Sequence, residues 1–193
     1  MDWDSFLFYE INSWAGQSEA LDWFLLECSN ASNYAFFALV YLGYRTWVNW
    51  KQSLLATPIL GLAIGMSDFI GMQLKIFFSR PRPCQVFLNI HQLSGCGESF
   101  SMPSNHAFNS ATAALFLWIV FPSTRWVVGM LMVIVGLSRI FVGAHYPTDV
   151  LVGWGLGGML GMTLGYFVVL SKWFQEENKM VSRRKNCHLG MDG

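Results

Sequence analysis

GLSRIFVGAHYPTDVLVGWGLGGMLGMTLGYF, residues 136–167, joins the end of one apolar segment to a second apolar segment through a short break. Gly143 and Pro147 bracket this break, because glycine permits a turn and proline interrupts a helix that reaches it. Four glycines then recur at every fourth position, at Gly153, Gly157, Gly161 and Gly165. This spacing places them on one helix face and predicts close contact with a neighbouring helix. The stretch therefore predicts two membrane helices joined by a turn that contains His145.

The composition also indicates a membrane protein. Of the 193 residues, 53% are hydrophobic and only 12% are charged, whereas about 25% are charged in an ordinary soluble domain. The formal net charge is zero, which argues against a nucleic-acid partner. The chain starts with the acidic stretch MDWDSFLFYE, where a cleavable signal peptide would carry basic residues. We therefore expect the protein to insert through its own spans.

Five segments are long enough to cross a bilayer, which needs about 20 mostly apolar residues. They lie near residues 31–48, 53–78, 105–121, 125–142 and 148–171. Within residues 1–30, DSFLFYEINSW predicts an amphipathic helix in the membrane interface, and LDWFLLE could extend the first span outward. We expect an all-α transmembrane bundle of about five spans plus an N-terminal interfacial helix. The predicted organisation is one membrane-embedded domain over 1–172 and a polar cytoplasmic tail over 173–193.

The distribution of basic residues predicts the orientation, because segments that stay in the cytoplasm are enriched in Lys and Arg. Residues 1–44 contain no Lys or Arg and six acids. With the N-terminus outside and the C-terminus inside, eight of the twelve basic residues lie on the inner side: Arg45, Lys51, Arg125, Lys172, Lys179, Arg183, Arg184 and Lys185. The four left outside are Lys75, Arg80, Arg82 and Arg139.

These four outer cations all lie at the ends of predicted spans. Basic side chains at such places often extend to lipid phosphates, so this pattern alone leaves ordinary interfacial contacts open. The third span begins SMPSNHAFNS, residues 101–110, which places the Ser104 hydroxyl, unpaired backbone amides and His106 at a helix N-terminus. That is an arrangement able to bind an anion, although a lone histidine there could also be a simple surface residue.

His145 and Asp149 flank the start of the last span. An aspartate four residues beyond a histidine can accept one ring N–H, which fixes the tautomer and makes the other nitrogen a better nucleophile. Asp149 could instead only cap the helix. Two histidines, a carboxylate and several cations at one membrane face are the groups that phosphoryl transfer requires. Because no cluster of carboxylates indicates a divalent metal, we expect a metal-independent reaction without a cofactor.

The chain resembles the type 2 phosphatidic acid phosphatase (PAP2) superfamily, whose three-part signature reads K-x6-R-P, P-S-G-H and S-R-x5-H-x3-D. The matching stretches here run from Lys75 to Arg82-Pro83, from Pro103 to His106, and from Ser138-Arg139 through His145 to Asp149. Asn105 stands where the family usually has glycine, and it adds bulk at that position.

The resemblance implies a role for each matching residue. His145 would attack phosphorus and form a phosphohistidine, with Asp149 orienting its ring. His106 would protonate the leaving oxygen and then activate the water that hydrolyses the intermediate. The groups that would hold the phosphate oxygens are Lys75, Arg82, Ser104, the backbone at Asn105, and Arg139.

Three further polar features receive predictions from the residues alone. We expect Arg80 to be a bystander or a headgroup contact. We expect Asp68, seven residues before Lys75 on nearly the same helix face, to pair with a polar partner on a neighbouring span. Cys84 and Cys96 flank a polar outer loop, and we expect them to form a disulfide in an oxidising compartment.

The predicted function is hydrolysis of a lipid phosphate at the outer surface of a bacterial inner membrane. Substrates implied by the family are polyprenyl diphosphates such as undecaprenyl pyrophosphate, phosphatidylglycerol phosphate, phosphatidic acid and lipid A phosphate. We rank the polyprenyl diphosphate first. Two alternatives stay open: haloperoxidases share the signature but are larger soluble proteins, and a small anion channel or transporter would also carry basic residues at one mouth.

Overall fold

A computed structural model describes residues 2–30, 33, 40–44, 46–47, 50–171, 175–176 and 179. Regular structure in these residues is entirely helical. Seven α-helices can be bounded within them: α1 Trp3–Asn12, α2 Glu19–Ser29, α3 Trp50–Phe78, α4 Pro83–Val86, α5 Asn105–Val120, α6 Arg125–Phe141 and α7 Pro147–Leu170. A single 3-10 turn, Pro122–Thr124, joins α5 to α6 as a tight connection.

Helices occupy four of the predicted spans, and the all-α transmembrane class is confirmed. Among the described residues, three segments are long and apolar enough to cross a membrane by length and composition: Trp50–Val86, Pro122–Phe141 and Pro147–Leu170. The predicted span at 105–121 corresponds to α5, which has 16 residues and is shorter than the usual 20. The predicted span at 31–48 and the tail at 173–193 lie largely outside the described residues.

Close packing of α7 on α5 forms the centre of the bundle, and it depends on the predicted glycine face. A methyl group built on Gly157 would lie 2.2 Å from the carbonyl oxygen of Phe108, and one on Gly161 would lie 2.3 Å from that of Thr112. Only glycine allows the two backbones to approach so closely. The prediction of close contact along this face is confirmed, and the starts of α5 and α7 are thereby held side by side.

The first helix, α1, begins at a side-chain N-cap and packs on the rest of the structure through one buried face. Asp2 accepts a hydrogen bond from the backbone nitrogen of Ser5 at 2.8 Å, a standard N-cap. The buried face of α1 carries Asp4, Phe8 and Asn12, while most of its remaining side chains are exposed. The predicted amphipathic helix is present, and its inner face contacts the loops around the predicted active site.

The side chains of Phe8 and Asn12 hold α1 in this position. The ring of Phe8 lies 5.9 Å from that of Phe87 and 5.7 Å from that of Tyr146. Asn12 donates to the carbonyl oxygens of His91 at 2.7 Å and Phe141 at 2.8 Å, and its own oxygen accepts from the backbone nitrogen of His91 at 2.9 Å. The N-terminal helix is therefore joined both to the 84–96 loop and to the end of α6.

The second helix is a separate element. It ends at Ser29, and Asn30 has an extended backbone with φ −86° and ψ 116°, so LDWFLLE does not continue directly into the residues that follow. This helix packs against α6. Its last residue contacts Arg139, as described below.

Candidate active site

The turn between α6 and α7 positions His145. Gly143 has φ +80°, a left-handed conformation that glycine adopts readily, and this reverses the chain after α6. The backbone nitrogens of Ala144 and His145 both donate to the carbonyl oxygen of Arg139 at 3.1 Å. The His145 side chain is only 2% exposed. The imidazole is thus held rigidly beneath the surface at the end of two predicted spans.

The two ring nitrogens of His145 have different neighbours: Nδ1 faces an acceptor and Nε2 faces a donor. Its Nδ1 atom lies 3.5 Å from Asp149 Oδ2, and its Nε2 atom lies 3.4 Å from Nη1 of Arg82. A guanidinium can only donate, so Nε2 carries the lone pair and Nδ1 carries the proton that faces Asp149. The structure therefore brings these three predicted residues together, with the unprotonated Nε2 of His145 on the side of Arg82.

The Asp149 carboxylate receives several donors. Its Oδ2 atom accepts from the Tyr146 backbone nitrogen at 2.9 Å and from the hydroxyl of Ser101. Ser101 is fully buried, and its hydroxyl also lies 3.4 Å from His145 Nδ1. The sequence reasoning missed Ser101, because a serine three residues before Ser104 in an irregular segment carries no recognisable signal.

Burial dominates the electrostatics of His145. Burial, together with the positive charges of Arg139, Arg82 and Lys75, lowers the pKa of His145 to about 3 against the opposing hydrogen bond to Asp149. The ring is therefore neutral at physiological pH, the state in which a histidine is able to act as a nucleophile.

Two of the predicted phosphate-binding cations are held by backbone oxygens. The Lys75 ammonium donates to the carbonyl of Phe100 at 2.6 Å and to that of Ser101 at 3.3 Å. Arg82 donates from Nε to the carbonyl of Ser99 at 2.7 Å and from Nη2 to its hydroxyl at 2.9 Å. Both side chains are buried. Each cation is thus fixed in place by uncharged oxygens, and the described residues place no carboxylate in a salt bridge with it.

Arg139 is anchored from the second helix. Its Nη1 atom donates to the carbonyl of Ser29 at 3.2 Å and contacts the Ser29 hydroxyl. The charges of Arg139, Arg82 and Lys75 act on both His145 and His106. The structure therefore gathers the three predicted cations around the two predicted histidines.

The start of α5 supplies the polar end of a helix. Ser104 is fully buried, its backbone nitrogen donates to the Asp149 carbonyl at 3.0 Å, and its hydroxyl has no hydrogen-bond partner among the described residues. His106 is the second residue of α5 and is partly buried. A buried hydroxyl without a partner beside a helix N-terminus is suited to receive an oxygen of a bound anion.

Asn105, the departure from the family signature, is accommodated by a glycine on α3. It is the first helical residue of α5, so its backbone is not left-handed and only its bulk matters. A methyl group on Gly71 would lie 2.7 Å from Asn105 Oδ1. Asp68 accepts from Nδ2 of Asn105 at 3.4 Å and of Asn109 at 2.8 Å, which confirms the predicted pairing of Asp68 across spans.

The prediction that Arg80 is a bystander is wrong. Its Nη1 atom lies 2.7 Å from Asp149 Oδ1, and its Nη2 atom lies 2.6 Å from Asp4 Oδ2. Arg80 looks like an ordinary span-end cation in the sequence, because nothing local indicates that a residue 76 positions earlier would pair with it. The available signal was Asp4, which lies on the same face of α1 as Phe8 and Asn12.

The predicted disulfide is present. Cys84 and Cys96 are bonded, with their Cα atoms 5.9 Å apart. This crosslink closes the loop between α4 and Gly97, and a methyl group on Gly97 would lie 3.2 Å from the guanidinium carbon of Arg82. The loop thus packs directly on a predicted phosphate ligand.

These membrane helices, with a buried histidine–aspartate pair beside several cations, define an integral membrane protein. The chain belongs to the PAP2 superfamily, whose family model matches residues 56–175. It is similar to the undecaprenyl-diphosphatase of Sulfolobus acidocaldarius, with 31% identity over 54% of this chain and 53% of that protein. It is also similar to phosphatidylglycerophosphatase B of Bacillus subtilis, with 33% identity over 61% of this chain and 57% of that protein.

The chain spans little more than half the length of these curated relatives. Among solved structures, a transmembrane PAP2-type phosphatidylglycerolphosphate phosphatase from Bacillus subtilis superimposes with a TM-score of 0.67, covering 87% of this chain and 88% of that one at 24% identity. At this level of identity the similarity shows the fold.

Proposed function

We propose that this protein is an integral membrane phosphatase that hydrolyses a lipid phosphomonoester or diphosphate through a phosphohistidine on His145. The observation that carries the proposal is the orientation of the His145 ring. Its protonated Nδ1 faces Asp149 and its Nε2 lone pair faces Arg82, so the nucleophilic atom points to the place where cations would hold a phosphate.

The reaction follows from these positions in two steps. His145 Nε2 attacks phosphorus while the bond from phosphorus to the leaving oxygen breaks, and His106 donates a proton to that oxygen. In the second step His106 takes a proton from water, the water oxygen attacks phosphorus, and the bond to Nε2 breaks to release phosphate. Asp149 stabilises the positive charge that the ring carries in the intermediate, as the carboxylate of a catalytic triad does.

Lys75, Arg82 and Arg139 would neutralise the non-bridging oxygens, with the Ser104 hydroxyl and the first amides of α5 as additional donors. Preformed donors of this kind stabilise the charge of the transition state without having to reorganise. No group of three or more His, Cys, Asp or Glu residues in the described part of the chain is arranged to hold a metal. In this proposal the cations of the chain itself carry the electrostatic role.

A lipid substrate is supported by the position of these residues at the ends of membrane helices. The relatives are named as phosphatases of undecaprenyl diphosphate and of phosphatidylglycerophosphate, and both names fit an amphiphile whose phosphate lies at headgroup depth. We rank a polyprenyl diphosphate first. The headgroup would enter between span ends while the acyl or prenyl chain stays in the bilayer.

The proposed orientation places the active site outside, with the N-terminus out and the C-terminus in. The Cys84–Cys96 disulfide supports it, because disulfides persist in oxidising compartments such as the periplasm or cell exterior. This bond lies in the loop that contacts Arg82, so the disulfide and the proposed site share one membrane face.

Phosphate release by the purified protein in detergent micelles tests the proposal. The substrates would be undecaprenyl diphosphate, phosphatidylglycerol phosphate, phosphatidic acid and lipid A phosphate at matched surface concentration. His145→Ala should lose activity by at least about a thousandfold, since removal of a catalytic nucleophile has effects of that order or larger. His91→Ala, which changes an exposed histidine, is the matched control and should keep parental activity.

Two results would contradict the proposal. Parental activity in His145→Ala would reject His145 as the nucleophile. An inactive parent protein that carries anions across liposomes would favour the channel or transporter alternative.

A further inference from the structure

We infer that Arg80 and Asp4 form a clamp that positions Asp149, so that the N-terminal helix α1 takes part in orienting the proposed nucleophile. The inference rests on the proposed function, because it assigns a positioning role toward Asp149 and His145. Neither Arg80 nor Asp4 belongs to the three-part signature, and Asp4 lies outside the 56–175 segment that matches the family.

Both terminal nitrogens of Arg80 are engaged in protein contacts. Nη1 donates to Asp149 Oδ1 at 2.7 Å and to the Thr148 hydroxyl at 2.6 Å, and Nη2 donates to Asp4 Oδ2 at 2.6 Å. The guanidinium also lies over the Tyr146 ring, with its carbon 3.9 Å from the ring centroid. A planar fork with fixed donors is well suited to such a bridge. Nη1 thus uses both of its N–H groups on the protein, and Nη2 uses one of its two.

Asp4 joins the same group from α1. Its Oδ1 atom accepts from the Thr148 backbone nitrogen at 2.9 Å, and its Oδ2 atom accepts from the Thr148 hydroxyl as well as from Arg80. Asp4 therefore occupies a free amide at the first turn of α7, where a negative charge is favoured. The carboxylate of α1 thus anchors both the arginine and the start of the helix that carries Asp149.

The burial of these groups makes the clamp matter for Asp149. The Asp149 side chain is completely buried and that of Asp4 is 7% exposed, whereas that of Arg80 is 25% exposed. A buried carboxylate that loses its cation keeps its desolvation cost without compensation. Without Arg80, Oδ1 of Asp149 would lose its ion pair, and only the Ser101 and Tyr146 donors to Oδ2 would hold the carboxylate beside His145 Nδ1.

A double-mutant cycle on the full-length protein in micelles tests the clamp. Arg80→Gln should lower kcat by roughly 10- to 100-fold, the range found when a group that orients a metal-ligating side chain is removed, with KM within about threefold. Asp4→Asn should lower kcat by about tenfold, and the double variant should be close to Arg80→Gln alone because the two act through one contact. Arg80→Lys should restore part of the loss, since a point charge reaches one carboxylate but cannot bridge two.

The matched controls remove the same charge elsewhere. Glu10→Gln changes an exposed acid on the same helix α1, and Arg125→Gln changes an exposed arginine at the opposite end of α6. Both should keep parental kcat. In the clamp variants, the rate of phosphoenzyme formation in a single turnover should fall in parallel with kcat. A general loss of folded protein would lower the number of active sites but not the rate per active site.

The background variant Asp149→Asn separates positioning from other roles. If Arg80 acts through Asp149, Arg80→Gln should cause no further loss of kcat in this background. If Arg80→Gln instead raised KM tenfold or more and left kcat unchanged, Arg80 would be a substrate ligand and the inference would be overturned. Fully multiplicative effects of Asp4→Asn and Arg80→Gln on kcat would also overturn it. Activity in His145→Ala would reject the proposed function itself. Loss in His145→Ala with parental kcat in both clamp variants would reject the clamp alone.

Discussion

Gly157→Ala tests whether the contact of α7 with α5 holds the site together. The new methyl carbon would lie 2.2 Å from the Phe108 carbonyl oxygen and 2.9 Å from the Ala111 methyl group. Carbon atoms in contact normally lie about 3.5–4.0 Å apart, so the helices must separate by roughly 1 Å. Neither neighbour is a flexible side chain that could turn away.

The expected cost follows from overpacking, which destabilises by about 1–3 kcal/mol. A gain of up to about 1 kcal/mol from replacing a helical glycine by alanine opposes it. The net loss of about 1–2 kcal/mol should lower Tm in micelles by about 2–8 °C. Because Ser104 and Asp149 are joined by a 3.0 Å backbone hydrogen bond at the top of the same two helices, kcat/KM should fall by up to about 100-fold.

Gly155→Ala is the matched control, since it makes the same substitution two residues away in α7 with nothing within 4 Å of the new methyl group. Its Tm should be unchanged or slightly raised, and its activity should stay within about twofold of the parent. Thermal unfolding and phosphate release measured on the same preparations decide the matter. Equal behaviour of the two variants, in either direction, would refute the reasoning.

Three further predictions concern the loop, the pH dependence and metal removal. Reduction of the Cys84–Cys96 disulfide, or its replacement by two serines, should lower the free energy of unfolding by about 3 kcal/mol in the chain-entropy model. It should also raise KM several-fold, because the loop packs on Arg82. An unchanged KM in the reduced protein would contradict this. Since burial lowers the pKa of His145 to about 3, protonation of this ring should not reduce kcat/KM between pH 7 and 5. The free energy of unfolding should fall as the pH drops below about 6.5, because there the unfolded histidine takes up a proton and the folded one does not. Denaturant titrations across this range measure it, and a stability that rises as the pH falls would contradict the prediction. EDTA treatment followed by gel filtration should leave phosphate release within about twofold of the untreated enzyme, and recovery only on adding a divalent cation would show that a metal is needed.

The parts of the fold that rest on local pattern could be predicted from the sequence. Hydrophobic segments of sufficient length marked α3, α5, α6 and α7, and the four-residue glycine spacing predicted the close face of α7. The relative position of two signature residues could also be predicted, because Gly143 and Pro147 force a turn that holds His145 close to Asp149. In each case the informative pattern is itself local, because it can be read from residues close together along the chain.

The parts that were missed depend on pairings across long stretches of chain. Arg80 contacts Asp4 and Asp149, which are 76 and 69 residues away, and one arginine at a span end looks much like another. Ser101 became identifiable only when the packing of α5 against α7 brought it to Asp149. The sequence contained an indication of α1 as a docked helix, in the polar residues Asp4 and Asn12 on its apolar face, but their partners could not be deduced from it.

Trapping the covalent intermediate tests the central proposal most directly. The purified protein would be mixed with a lipid diphosphate labelled at its terminal phosphate, quenched in alkaline detergent within milliseconds, and digested for mass spectrometry. We predict an alkali-stable, acid-labile phosphate on His145 that is absent from His145→Ala. Turnover with no phosphoprotein at any time, or a phosphate on another residue that persists in His145→Ala, would contradict the account.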